Sequence, residues 1–144
     1  MEVRIINKSN HRTPEYETEG AAGFDLKANI DEPMVIEPLE RVLVPTGIFM
    51  EVPHGYECQV RPRSGMAYKY GITVCNTPGT IDEDYRGEIK VILINLSKDK
   101  YIVRPGDRVA QGVINKVERA EFKEVTVLSD TVRADGGFGH TGKQ

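Results

Sequence analysis

The chain has 144 residues, 39% of them apolar and 28% charged, the balance of a soluble globular protein of one domain. At this length a folded chain buries roughly 68% of the surface it exposes when unfolded, so a core without disulfide staples is feasible. A net charge of −3 excludes the strongly basic footprint of a duplex nucleic-acid binder. The longest unbroken apolar run, Val91-Ile92-Leu93-Ile94, is far short of the ~20 residues a membrane helix needs.

The first predicted strand is Val3–Ile6, and the opening Met1-Glu2-Val3-Arg4 lacks the basic-then-apolar layout of a secretion signal. The expected location is the reducing cytoplasm. Phe24–Ala28 is the second strand and carries Asp25 among apolar neighbours. A buried carboxylate needs a partner, and either a nearby Arg or a hydrated cation would serve. Arg41–Thr46 follows, then a turn at Pro45-Thr46-Gly47, then a strand in which Ile48, Met50 and Val52 alternate with Phe49 and Glu51. After the turn at Pro-His-Gly, residues 53–55, Tyr56, Cys58 and Val60 alternate with Glu57, Gln59 and Arg61. A period of two places each set on one face of a strand.

One short helix is predicted from Gly65 to Tyr70, with Ser64 as N-cap and Gly71 just past the end. Arg63-Ser64-Gly65 at its start is suited to an anion, phosphate above all, because a helix N-terminus leaves backbone N–H groups unpaired. The bland reading is a plain cap beside a surface Arg. Ile72–Val74 is a further strand. Residues 76–87 then read as a hairpin arm with an acidic turn. In it Asp82 and Asp84 are placed to orient a water or hold a hard cation, and Tyr85 offers a flat face to a base or sugar. The bland reading, which the local sequence alone favours, is an ordinary acidic turn.

Ile89, Val91 and Leu93 alternate with Lys90, Ile92 and Ile94. Tyr101–Val103, a turn at Arg-Pro-Gly-Asp (104–107), Val109–Ile114 and Lys123–Leu128 complete the strand candidates. The fold class is therefore all-β, a sandwich, jelly roll or barrel. The residues from Arg133 to Gln144, with Gly136, Gly137, Gly139 and Gly142, are expected to be mobile when nothing is bound. Their letters G-x-x-x-x-G-K do not make a phosphate-binding P-loop, since Gln144 replaces the Ser or Thr needed for Mg²⁺ and no helix follows. Phe138 in this tail has no local core to enter and reads as packing on another subunit or stacking on a base. Cys58 and Cys75 lack zinc-ligand spacing and are expected to be buried, reduced thiols. His11, His54 and His140 are scattered, and His54 is expected in solvent.

In combination these segments are more specific than any one of them. AGFDL at 22–26, RPRSGMA at 61–67, NTPGTIDEDYRGEI at 76–89, GDRVAQ at 106–111 and RADGGFGHTG at 133–142 stand in the order of five motifs of the trimeric deoxyuridine triphosphate nucleotidohydrolases, the dUTPases. The resemblance runs over essentially the whole chain, including Arg41–Gly47. It implies a compact β-barrel or jelly-roll (β-clip) subunit forming a single domain over 1–144, with a flexible glycine-rich lid at 133–144. It also implies a homotrimer whose three sites each draw on several chains. The implied reaction is hydrolysis of dUTP to dUMP and pyrophosphate with Mg²⁺, which limits uracil incorporation into DNA and supplies dUMP for thymidylate synthesis. No nucleic acid or membrane is an expected partner.

Carried onto this sequence, the resemblance makes Asp82 the base that activates the attacking water. Asn76 and the adjoining hairpin, Gly79 included, would read the uracil, and Tyr85 would pack under the deoxyribose. Arg63, Ser64, Gly65 and Gln111 would hold phosphate oxygens. Asp25 would support the metal through water, or the Arg facing it. Arg133 would grip the terminal phosphate, and Phe138 with Gly139 would close over the base. Three places depart from the usual pattern. Ala134 stands where Gly is frequent, Gly112 where a bulky apolar residue is frequent, and Tyr68 and Tyr70 flank Lys69 where other side chains are usual.

The residue types suit the chemistry. Hydrolysis at phosphorus needs an in-line water and relief of phosphate charge. A single carboxylate is a weak base, so most of the acceleration is expected from positioning, Mg²⁺, Arg side chains and N–H donors. Losing the carboxylate in Asp82→Asn is expected to lower turnover at least ~10²-fold. Fixed backbone donors and acceptors of a hairpin can reject cytosine by roughly 10⁴-fold or more. A ribose 2′-hydroxyl would meet Tyr85. Two other readings fit less of the chain: a dCTP deaminase or bifunctional deaminase–diphosphatase on a related fold, and a non-catalytic trimeric module that senses a nucleotide or a partner protein.

Overall fold

The chain was described by a computed structural model, and the structure covers residues 1–138. Among them are ten strands and one short helix. In chain order these are β1 (Arg4–Asn7), β2 (Phe24–Lys27), β3 (Met34–Ile36), β4 (Arg41–Glu51), β5 (Tyr56–Arg61), α1 (Ser64–Tyr70), β6 (Ile72–Val74), β7 (Gly79–Ile81), β8 (Glu88–Asn95), β9 (Tyr101–Val103) and β10 (Arg108–Lys116). One four-stranded sheet has the order β1-β4-β8-β6, the other β2-β10-β5-β7, and β3 pairs with β9. Every pairing is antiparallel.

The alternation in the sequence sets which faces meet. Ile89, Val91 and Leu93 of β8 are fully buried, while Lys90 is exposed and Ile92 and Ile94 are only partly covered. From the second sheet Phe24, Leu26, Cys58, Val60, Val109 and Ala110 enter the same apolar cluster. The two sheets thus share one core, and each fully buried Leu, Ile or Val stabilises it by about 1.5–3 kcal/mol.

Several expectations are corrected by long-range bonding. Pro45-Thr46-Gly47 is not a turn between two strands but a bulge inside the single strand β4, where the pairing with β8 shifts register between Pro45 and Ile48. The buried Thr46 hydroxyl donates to the Ile89 carbonyl at 2.6 Å and accepts from the Ile48 N–H at 3.2 Å. Gly47 has φ +68°, and a Cβ there would stand 2.8 Å from Ser9, so no larger residue fits. Lys123–Leu128 is not a strand, and its residues are exposed. Its alternation is strand-like, but no segment among the described residues pairs with it. β3 and β7, three residues each, were not predicted as strands. Cys58 is buried as expected, whereas Cys75 is exposed. The predicted turns at 53–55 and 104–107 are present, closed by the Tyr56 N–H on the Pro53 carbonyl and the Asp107 N–H on the Arg104 carbonyl, both at 3.1 Å.

Candidate active site

The central strands β5 and β10 of the second sheet align the first group of site residues. In register across it stand Asp25 of β2, Gln111 of β10 and Arg61 of β5. Beyond Arg61, Pro62 stops the strand and α1 begins. The helix starts one residue earlier than the cap signal predicted. Ser64 is its first residue and Arg63 is the N-cap, with extended φ and ψ of −94° and 129° and no capping side-chain bond. An Arg side chain has only donors and cannot cap helix N–H groups; its guanidinium is drawn to Asp25 instead.

That attraction organises the pocket. Asp25 Oδ1 accepts from Arg63 Nε at 2.9 Å, and Asp25 Oδ2 accepts from Arg108 Nη1 at 3.1 Å. Of the two kinds of partner the sequence left open for Asp25, the arginine is found twice, as Arg63 and Arg108. The Asp25 side chain is 15% exposed and that of Arg63 28%, so the pair is only partly screened by water and is held more firmly than a surface ion pair. Gln111 donates from Nε2 to the Pro62 carbonyl at 3.0 Å, tying β10 to the entry of α1. A Cβ on Gly23 would stand 2.6 Å from the Gln111 amide oxygen, which accounts for the glycine of AGFDL.

Asp25, Arg63, Ser64, Gly65, Arg108 and Gln111 line one open pocket of about 630 Å³, within the range of small-molecule sites. Two guanidiniums, a hydroxyl and the first N–H groups of α1 suit a phosphate chain. Lys69, Tyr70 and Tyr101 form the far wall. Burial foremost, helped by Asp107 and Tyr70 and opposed by Arg63, raises the Tyr101 phenol above its ordinary pKa, so it stays a neutral hydroxyl.

Asp82 and Tyr85 form a second group. They line a separate pocket of about 400 Å³ with Leu43, Ile81 and Ile92. Asp82 is exposed just past the end of β7. Its carbonyl accepts from the Tyr85 N–H at 3.1 Å, and the Tyr85 hydroxyl donates to the Glu88 carbonyl at 2.9 Å. Gly87 lies under the Tyr85 ring, where a Cβ would clash with it. Asn76 and Gly79 line neither pocket. They lie together at the start of β7, where Gly79 pairs with Val60 and the Asn76 amide nitrogen is 3.5 Å from the place of a Gly79 Cβ.

A single chain does not bring these groups together. Ile81 pairs with Cys58, so Asp82 leaves β5 toward one end while Arg63 follows its other end. The three steps from Cys58 to Arg61 alone span roughly 10 Å at ~3.3 Å per residue. Arg133 and Phe138 are exposed in the C-terminal segment, where Arg133 Nε donates to the Gly136 carbonyl at 2.8 Å. Gly139 lies outside the described residues, as does the rest of the expected lid.

Sequence reasoning missed Arg108, Lys69 and Tyr101. Arg108 sits inside GDRVAQ, and the need of Asp25 for a cation was the signal that pointed to it. Glu83 was also missed. Its carboxylate accepts from the Gly55 N–H at 2.6 Å and meets His54 Nδ1 at 2.9 Å. His54 is exposed as expected but is not free of partners.

The profile of the dUTPase family matches residues 9–142. The deoxyuridine 5'-triphosphate nucleotidohydrolase of Cytophaga hutchinsonii is 60% identical over 141 residues, 98% of this chain and 92% of that one. The Staphylococcus bacteriophage 80alpha dUTPase with dUPNHPP superposes with a TM-score of 0.87 at 25% identity, covering 98% of each chain. A variant dUTPase of the Staphylococcus aureus phage phi11, described with a structural Mg(II) ion, gives 0.80 at 24%, covering 90% of this chain and 100% of that one. The shared fold, the family match along nearly the whole length and the identity with the bacterial relative agree: the chain belongs to the dUTPase family.

Proposed function

We propose that this protein hydrolyses dUTP to dUMP and pyrophosphate, with water attacking the α-phosphorus. The observation that carries the reading is the pocket in which Asp25 fixes Arg63 and Arg108 beside Ser64 and Gly65. The pocket is large enough for a triphosphate and turns guanidinium, hydroxyl and N–H donors toward it, with Glu17, Asp25 and Asp107 balancing Arg63, Lys69 and Arg108 in formal charge. Asp82, exposed at the end of β7, takes a proton from the water as its oxygen bonds to phosphorus. The bond from the α-phosphorus to the bridging oxygen breaks, and pyrophosphate leaves with that oxygen. Arg63, Ser64, Gly65 and Gln111 hold the charge on the leaving phosphates. Such preorganised donors supply more of the rate than one weak base.

The hairpin at Asn76 and Gly79 reads the uracil with backbone groups, and Tyr85 covers the deoxyribose. The Asp82 group and the phosphate group line separate pockets of one chain, an arrangement in keeping with a homotrimer whose sites at subunit junctions take residues from different copies. The chain forms one domain, and residues 133–144 act as a lid that brings Arg133, Phe138 and Gly139 onto the bound nucleotide.

Mg²⁺ fits as a cation brought in with the phosphates. Among the described residues no group of three His, Cys, Asp or Glu side chains is set to hold a bare ion. Asp25, however, faces the pocket with each oxygen using one acceptor site on a guanidinium, and a carboxylate oxygen has capacity for another. Asp25 would therefore hold the ion through water, as Mg²⁺ favours. When bound, Mg²⁺ neutralises phosphate charge and makes the α-phosphorus more open to attack.

The test is a panel of dUTP, dCTP, dTTP and UTP with Mg²⁺, following pyrophosphate and ammonia. The proposal expects pyrophosphate from dUTP and little from the other three. Ammonia from dCTP, or equal turnover of UTP and dUTP, would overturn it.

A further inference from the structure

We infer that Glu83 is a positioning residue that fixes the backbone carrying Asp82, an inference that rests on the proposed role of Asp82. Asp82 stands between two anchors. On one side Ile81 is held in the sheet by its pairing with Cys58. On the other, Glu83 reaches across to the turn between β4 and β5, where Oε2 accepts from the Gly55 N–H at 2.6 Å and Oε1 meets His54 Nδ1 at 2.9 Å.

The turn it grips is itself secured. The Tyr56 N–H bonds to the Pro53 carbonyl at 3.1 Å, and the Gly55 carbonyl accepts from the Val117 N–H at 2.9 Å. Arg86 braces the same loop from the other side, donating from Nη1 to the carbonyls of Glu83 at 2.7 Å and Tyr85 at 3.1 Å. Asp82 is left as the one residue between a paired strand end and a clamped carboxylate. The Gly55 N–H first, and His54 next, lower the pKa of Glu83, so it remains an acceptor near neutral pH. Tyr85 has its own anchor in the Glu88 carbonyl. The clamp therefore governs the aim of Asp82 more than the fit of the sugar.

The test is steady-state kinetics on dUTP of Glu83→Ala and Glu83→Gln beside the unaltered protein. Glu83→Ala is expected to lower kcat roughly tenfold or more, the scale of a small misplacement of a reacting group, with KM within about twofold. Glu83→Gln keeps an oxygen for the Gly55 N–H and is expected to restore most of kcat. A kcat for Glu83→Ala within about twofold of the unaltered protein, or a Gln variant no better than Ala, would overturn the clamp. Should the Ala variant not fold, amide exchange of Gly55 in the unaltered protein decides: slow exchange supports the clamp and fast exchange overturns it. Full turnover in Asp82→Asn, which leaves the Gly55 bond intact, would remove the role of Asp82 and this inference with it, independently of any Glu83 result.

Discussion

Gly112 lies beneath the ring of Phe24 so closely that a Cβ on Gly112 would run into the ring carbons. The two residues are register partners on β10 and β2, and the ring fills the space a side chain on Gly112 would need. The glycine at 112 is thus a matter of packing against Phe24. Gly112→Ala should destabilise the fold by about 1–3 kcal/mol, the usual cost of overpacking. Pairing it with Phe24→Leu should recover part of the loss. Urea midpoints at fixed protein concentration measure both.

Asp25 holds two guanidiniums at 2.9 and 3.1 Å. Asp25→Ala releases both and leaves them repelling each other. The kcat/KM for dUTP should fall at least about tenfold, since a hydrogen bond to a charged group contributes ~1.5–3 kcal/mol and ~1.4 kcal/mol is a factor of ten. Asp25→Asn, which keeps one acceptor, should fall less. Steady-state rates with and without added Mg²⁺ check the order.

Burial foremost pushes the Cys58 thiol up to about 11, so it is protonated and shielded from reagents at about pH 8. In Cys75→Ser the folded protein should show no reactive thiol to a chromogenic disulfide, and one after denaturation. Rapid reaction before denaturation would mean that Cys58 is not in the core.

Glu83 is held below its ordinary value of 4.5, by the Gly55 N–H first and then His54. A lowered carboxylate stabilises the folded chain above its unfolded pKa, and that contribution is lost as pH falls through the folded value. Glu83→Gln should therefore lose less stability than the unaltered protein on going from about pH 7 to about pH 3. Parallel curves for the two proteins would contradict the linkage.

Much of the architecture was legible because it rests on local alternation. Ile89, Val91 and Leu93 declared the buried face of β8, and Gly71 marked the end of α1. The misreadings share a different cause. Pro45-Thr46-Gly47 has the composition of a turn, and only the bond from Thr46 to the Ile89 carbonyl makes it a bulge. Val125 and Val127 have strand spacing, but spacing does not supply a neighbouring strand. At the site, the need of Asp25 for a cation was readable from its apolar neighbours. Its choice of Arg63 and Arg108 was not, since Arg108 is 83 positions away. Glu83 passed as one acid among several because its partners, Gly55 and His54, lie in another turn.

The proposed chemistry turns on which phosphorus the water meets. Hydrolysis of dUTP in ¹⁸O-labelled water, followed by mass analysis of both products, reads this in one measurement. The label is predicted in dUMP, with pyrophosphate unlabelled. Label in pyrophosphate instead would place the attack on the β-phosphorus and contradict the mechanism.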